Sequence, residues 1–169
     1  MNSILIKNGH IITAEKTFTG DILTRAGKIA KIGSNLKATD AQTRSIDAPG
    51  LLVLPGGIDP HVHFELPVGN SIVSSDDFYT GTRAALVGGT TTIVDFVTPK
   101  PGELLPDALA ERKELAKNSV CDYALHMSVT EWRESIGDEL KACADQGVTS
   151  VKIYMAYKES IGLEDDEIL

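Results

Sequence analysis

Leu51-Leu52-Val53-Leu54-Pro55-Gly56-Gly57-Ile58-Asp59-Pro60-His61-Val62-His63 is where the texture of the chain changes. Leu51 to Leu54 make an unbroken apolar run, the pattern of a strand covered on both faces. The segment from Pro55 to His63 follows at the end of that run. Side chains alternate along extended backbone, so His61 and His63 are expected on one face, close together. Two imidazoles so placed can grip one metal ion, and the C-terminal ends of parallel barrel strands are where active sites lie. An H-x-H alone leaves a metal site and two ordinary packed histidines both open.

Downstream the sequence alternates between strand and helix patterns. Ser74-Ser75-Asp76-Asp77 has capping-box form and opens a helical stretch with Phe78, Thr82, Ala85 and Leu86 on one face, stopped by Gly88-Gly89. Thr90–Val97 reads as the second strand, and Tyr123–Val129 as the third. Between them Pro106 suits a first helical turn, with Leu105, Leu109, Arg112 and Ala116 at helical spacing. Ile136, Leu140, Cys143 and Ala144 form another stripe, which Gly147 ends; Ser150–Tyr157 is the fourth strand. Successive strand–helix steps predict an α/β fold with a parallel sheet and right-handed crossovers. Periodicity leaves an open sheet and a closed barrel equally available. Leu163–Leu169 reads as a helix start that stops without a C-cap, so the chain is expected to be a fragment.

Upstream, residues 1–50 read as a small β domain, with residues 51–169 forming the α/β part. Ile4 and Ile6 alternate with polar neighbours, Asn8-Gly9 is expected to turn, and Ile11-Ile12 resume the apolar run. A hairpin follows, from Ile22–Arg25 through Ala26-Gly27 to Lys28–Gly33.

The 24 acids against 16 Lys and Arg give a net charge of −8, which argues against nucleic acid or an anionic membrane as partner. No apolar run approaches the roughly 18–20 residues that span a bilayer. Met1 to Lys7 lacks the basic flank and cleavage site of a secretory signal. Cys121 and Cys143 lie far apart with no C-x-x-C pattern, which suits a cytoplasmic location.

Three longer segments carry a sharper signal: Gly56 to Pro67 (GGIDPHVHFELP), Ser74 to Thr82 (SSDDFYTGT) and Val151 to Lys158 (VKIYMAYK). In this order they resemble the amidohydrolase superfamily, and within it the cyclic amidohydrolases of the dihydropyrimidinase and D-hydantoinase type, over essentially the whole chain. The resemblance implies the first half, about four β/α units, of a TIM-like (β/α)8 barrel after a small β-sandwich-type domain. It implies two divalent metal ions, zinc foremost, with His61 and His63 on the more buried one. Lys152 matches the lysine that takes up carbon dioxide to become a carbamate (N6-carboxylysine) bridging both ions. An anion with two oxygens can span ions about 3.5–4 Å apart.

The same resemblance makes Tyr157 a donor to the oxygen that turns negative as the amide carbon becomes tetrahedral. Asp59 would orient a histidine or its loop, and Leu66, Pro67 and Val68 would line the pocket for the ring substituent. Two further histidine ligands and the proton-shuttling aspartate would come from later strands, outside this sequence. His126 reads as a core or pocket-wall residue, His10 as surface, and Asp95 as support at a strand end. The implied reaction is ring opening of a dihydropyrimidine or a 5-substituted hydantoin, in a protein expected to be a homotetramer. Dihydroorotases and allantoinases share the H-x-H and the bridging lysine. Dihydroorotases follow H-x-H with an arginine for a substrate carboxylate, and Phe64 at that position points to an uncharged ring. Non-catalytic dihydropyrimidinase-like proteins resemble the chain too but lack the ligands that His61, His63 and Lys152 retain.

Overall fold

The computed structural model describes residues 3–38, 40–69 and 72–169. Met1 and Asn2, which open the stretch weighed as a leader, lie outside them. The chain divides into two compact units, residues 1–55 and 56–169.

In the first unit, β1 (Ile4–Ile12) pairs antiparallel with β2 (Thr17–Arg25), which pairs antiparallel with β3 (Lys28–Gly33). Along the other edge of β1 run β4 (Arg44–Asp47) and then β5 (Leu52–Val53), both parallel to it. Together they make one mixed five-stranded sheet. The Ala26-Gly27 turn forms as the sequence predicts, with φ of 51° and 74°, the positive angles that a tight hairpin demands. Asn8-Gly9 does not turn. β1 runs straight through it as a bulge, with Asn8 at φ 59° and a register slip between Ile6 and Gly9. The cause is long-range: buried Asp21 accepts from the Asn8 N–H at 2.8 Å, and the Asn8 amide donates to Asp47 at 2.7 Å.

Leu51–Leu54 is not a covered strand. Only Leu52 and Val53 pair, with His10 and Ile11 of the first unit, and Leu51, Leu52 and Leu54 are 60%, 61% and 58% exposed. The parallel sheet starts instead with β6 (Gly57–Val62) and runs in the order β11-β10-β9-β6. Here β9 is Thr90–Val97, β10 is Asp122–Val129 and β11 is Val151–Ile153. Helices α1 (Phe78–Val87), α2 (Leu105–Ala116) and α3 (Ile136–Asp145) connect successive strands. A small hairpin, β7 (Pro67–Gly69) and β8 (Ile72–Val73), precedes α1, and a short α4 (Asp165–Ile168) follows β11.

Two local expectations shift. α1 is capped by Asp77, whose carboxylate accepts from the Thr80 N–H at 2.6 Å while the Thr80 hydroxyl accepts from the Asp77 N–H. Ser74 is spent elsewhere, accepting from the Leu66 N–H at 2.9 Å beside the hairpin. The fourth strand is three residues long rather than eight. Tyr157 takes a left-handed φ of 63°, and its carbonyl accepts from the N–H groups of Ser160, Ile161 and Gly162, which folds the chain into a tight turn.

The parallel sheet sorts its side chains by parity. Val97 of β9 and Leu125, Met127 and Val129 of β10 pack with Leu105, Leu109, Ile136 and Cys143 from α2 and α3. Ile93, Phe64, Phe78 and Ala116 form a second cluster with Val62. The even-numbered residues of β9 and β10, and with them Lys152 of β11, therefore turn to the opposite face.

Candidate metal centre

That opposite face is built around one ring. Phe96 of β9 stacks on His63 (centroids 4.7 Å apart, planes at 28°) and lies 4.6 Å from His61 and 4.9 Å from His126. The Lys152 ammonium sits 4.3 Å above the same ring and 4.8 Å from that of Tyr154. Four nitrogen-bearing side chains from three different strand regions thus gather at Phe96.

His61 and His63 converge as alternation along β6 requires. Their Nε2 atoms are 3.2 Å apart, with the rings edge to face. That approach admits one proton between the two nitrogens, and two lone pairs aimed together make a seat for a cation. Burial pushes the pKa of His63 below the usual imidazole value, helped by the Lys152 charge. A neutral imidazole is the form that ligates metal. Among the described residues no three of His, Cys, Asp and Glu cluster as a metal cage; Lys152 and His126 are the other nitrogen-bearing groups gathered on this face.

Asp59 accepts from the His61 N–H at 3.1 Å, fixing the backbone that enters the pair. His126 bridges strands: Nδ1 lies 2.5 Å from Ser150 Oγ and Nε2 lies 3.1 Å from the Pro60 carbonyl. Since a carbonyl only accepts, Nε2 carries the proton in that bond. Ser128, in register with Lys152, has a buried hydroxyl with no hydrogen-bond partner among the described residues. Tyr157 is held by its backbone, with the residue 70% exposed beyond β11. Leu66 lines a cleft of about 170 Å³ with Glu65, Pro67, Phe96, Thr98 and Arg112, among others, whereas Val68 is exposed on β7.

Phe64 needs a correction. Its side chain turns away from the histidines into the core beneath α1, 5.4 Å from the Phe78 ring and against Gly81. It is a packing residue and does not set the charge of a substrate. Phe96 and Arg112 escaped the sequence reading as site residues. An arginine in the otherwise apolar stripe Leu105, Leu109, Ala116 was the available signal, because such a position implies a buried partner.

A parallel α/β sheet with this histidine pair at the end of its first strand defines a class, and residues 52–168 match the Amidohydrolase family, to which the chain belongs. Particular relatives sharpen the likeness. The chain is 42% identical over 168 residues to a dihydropyrimidinase of Dictyostelium discoideum, covering 98% of this chain and 33% of that protein. It is 44% identical over 163 residues to a D-hydantoinase of Geobacillus stearothermophilus, covering 95% and 34%. Among solved structures, the D-hydantoinase (dihydropyrimidinase) from Thermus sp. superposes with a TM-score of 0.92 at 40% identity, over 98% of this chain and 36% of that one. The chain therefore spans about a third of the length of the relatives it matches.

Proposed function

We propose that this chain supplies the first part of the active site of a metal-dependent hydrolase that opens cyclic amides, either dihydropyrimidines or 5-substituted hydantoins. The observation that carries the reading is the convergence of His61 and His63 at 3.2 Å beside Lys152 on the Phe96 ring, in a chain related to proteins of those names.

The donor set fits part of a site for two divalent ions, zinc foremost, and does not complete the second. His61 and His63 would hold one, and Lys152, as its carbamate, would bridge to the second. Forming that carbamate joins the Lys152 amine nitrogen to the carbon of carbon dioxide and releases a proton. The Ser128 hydroxyl, in register with Lys152 and without a partner among the described residues, is a donor suited to the new anion. When bound, such ions supply Lewis acidity to a ring carbonyl and lower the pKa of water. The chain's own residues do the rest of what lies within it. Asp59 holds the backbone at His61, Tyr157 donates to the developing oxyanion, and Leu66 and Val68 contact the ring substituent. The remaining ligands and the proton-transferring carboxylate come from outside residues 1–169.

A neutral ring is favoured over a carboxylated one, as in dihydroorotases, by the cleft beside the site. Glu65, Glu103 and Glu111 there outnumber Lys100 and Arg112. Arg112 is committed to Asp95, and Lys100 pairs with Glu111 at 2.9 Å. The same reading takes the whole protein as a homotetramer, and as cytoplasmic in keeping with the two free cysteines.

The test is turnover of dihydrouracil and hydantoin by the full-length protein with and without zinc. Replacing His61 by Ala or Lys152 by Ala should abolish it, and unchanged turnover in either variant would sink the assignment. A carbamate carbon signal in NMR after labelling with carbon-13 bicarbonate, lost in Lys152→Arg, checks the bridge separately.

A further inference from the structure

We propose that Asp95 and Arg112 are positioning residues for His63, acting through the His63–Phe64 peptide rather than by touching a metal or substrate; the inference rests on the metal site proposed above. Asp95 leaves β9 on the helix-facing side, the opposite side from Phe96, and is fully buried. Its Oδ2 accepts from the Phe64 N–H at 2.9 Å. Its Oδ1 accepts from the Phe96 N–H at 2.5 Å and from Arg112 Nε and Nη2 at 3.1 and 2.6 Å. The second job of Arg112 Nη2 is to donate to the Phe64 carbonyl at 2.5 Å. Both backbone polar groups of Phe64 are thus held by one buried ion pair.

The consequence falls on the preceding residue. The Phe64 N–H lies in the planar peptide unit that contains the His63 carbonyl, so fixing it fixes ψ of His63. With ψ set, the direction of the His63 side chain is set, and its ring is then trapped flat on Phe96, whose own N–H the same carboxylate holds. One carboxylate therefore ties together the histidine and the ring it leans on. Arg112 is itself immobilised, with its guanidinium 4.7 Å over the Phe78 ring and its side chain only 12% exposed. A lysine cannot reproduce this, because one ammonium lacks the planar fork that reaches a carboxylate and a carbonyl at once.

A purely structural ion pair would hold α2 to the sheet and nothing more. Glu139 of α3 provides that comparison, since its partners are Arg133, Leu105 and Ser135 and none of the histidines. The experiment is zinc titration of metal-free full-length protein against a chromophoric chelator, alongside thermal unfolding of the same samples. The variants are Asp95→Asn, Arg112→Lys and, for comparison, Glu139→Gln. Asp95→Asn and Arg112→Lys are expected to weaken zinc binding on the order of 10–100-fold, the usual cost of losing an outer support of a ligand. They should lower kcat for dihydrouracil while leaving KM close to wild type. Glu139→Gln should lower the unfolding midpoint and leave zinc affinity as it was. If Asp95→Asn does not fold, Arg112→Lys, which keeps the charge, carries the test. Wild-type zinc affinity in the variant that folds would overturn the proposal. Absence of zinc uptake by the wild-type protein would bring down the metal site itself, a distinct result seen before any variant is made.

Discussion

Gly81 illustrates how closely the residues behind the histidine pair are fitted. A Cβ at Gly81 would stand 2.1 Å from Phe64 Cε1, and Phe64 is fixed at its backbone by Asp95 and Arg112. The ring has little freedom to retreat. Gly81→Ala is expected to destabilise the protein by about 1–3 kcal/mol, the cost of overpacking, measured by denaturant unfolding. Adding Phe64→Leu should recover part of that loss, and a loss unchanged in the double variant would place the strain elsewhere. The histidine pair itself was legible because alternation is a local rule. Phe64 was misjudged because its direction depends on the same rule carried one residue further: an even-numbered residue after His63 turns to the helices. Phe96 was illegible because a phenylalanine in a strand carries no mark of which groups will gather around it.

At the scale of elements, the clearest failures of sequence reading share a cause. Asn8-Gly9 is a strong turn pair, yet Asp21 and Asp47 draw it into a bulge from positions 13 and 39 residues away. Asp21 also accepts from the Leu36 N–H at 2.8 Å, so it satisfies two backbone donors. Asp21→Ala should cost on the order of 1–3 kcal/mol for the donors it orphans, and would appear as a lower denaturation midpoint of the first unit. The run Leu51–Leu54 misled in the opposite way, since apolar composition marked it as covered when only two of its residues pair. By contrast β9, α2, β10 and α3 were legible nearly to the residue, because periodicity, Pro106 and Gly147 all agree there.

Glu139 gives α3 a pH signature. Its pKa falls to about 2 because the Arg133 side chain hydrogen-bonds it, with further help from the Leu105 N–H and the Ser135 hydroxyl. A carboxylate held below its unfolded value contributes stability that is complete above that value, near 4.5, and is lost as pH falls towards 2. The unfolding midpoint should therefore drop across that interval, and Glu139→Gln should flatten the drop. An equally steep drop in the variant would assign it to other groups.

Over the whole molecule, the described residues bring to the candidate site two converging imidazoles and one lysine, beside a third imidazole, His126, and a buried carboxylate, Asp95, that are already engaged in hydrogen bonds. The 169-residue chain by itself is therefore expected to show no hydantoin hydrolysis with added zinc, and measurable turnover by the purified chain would overturn that. Among the described residues no helix is long and apolar enough to cross a membrane.

The parity of the parallel sheet has a genetic corollary. In β9 and β10, odd positions carry the packing and even positions the chemistry, so the two tasks are written on one stretch of sequence in alternate letters. Loss or gain of a single codon there exchanges the two scripts, sending Asp95 inward and Phe96 towards α2. A deletion scan should find β9 intolerant of one-codon changes even where every neighbouring point substitution is accepted.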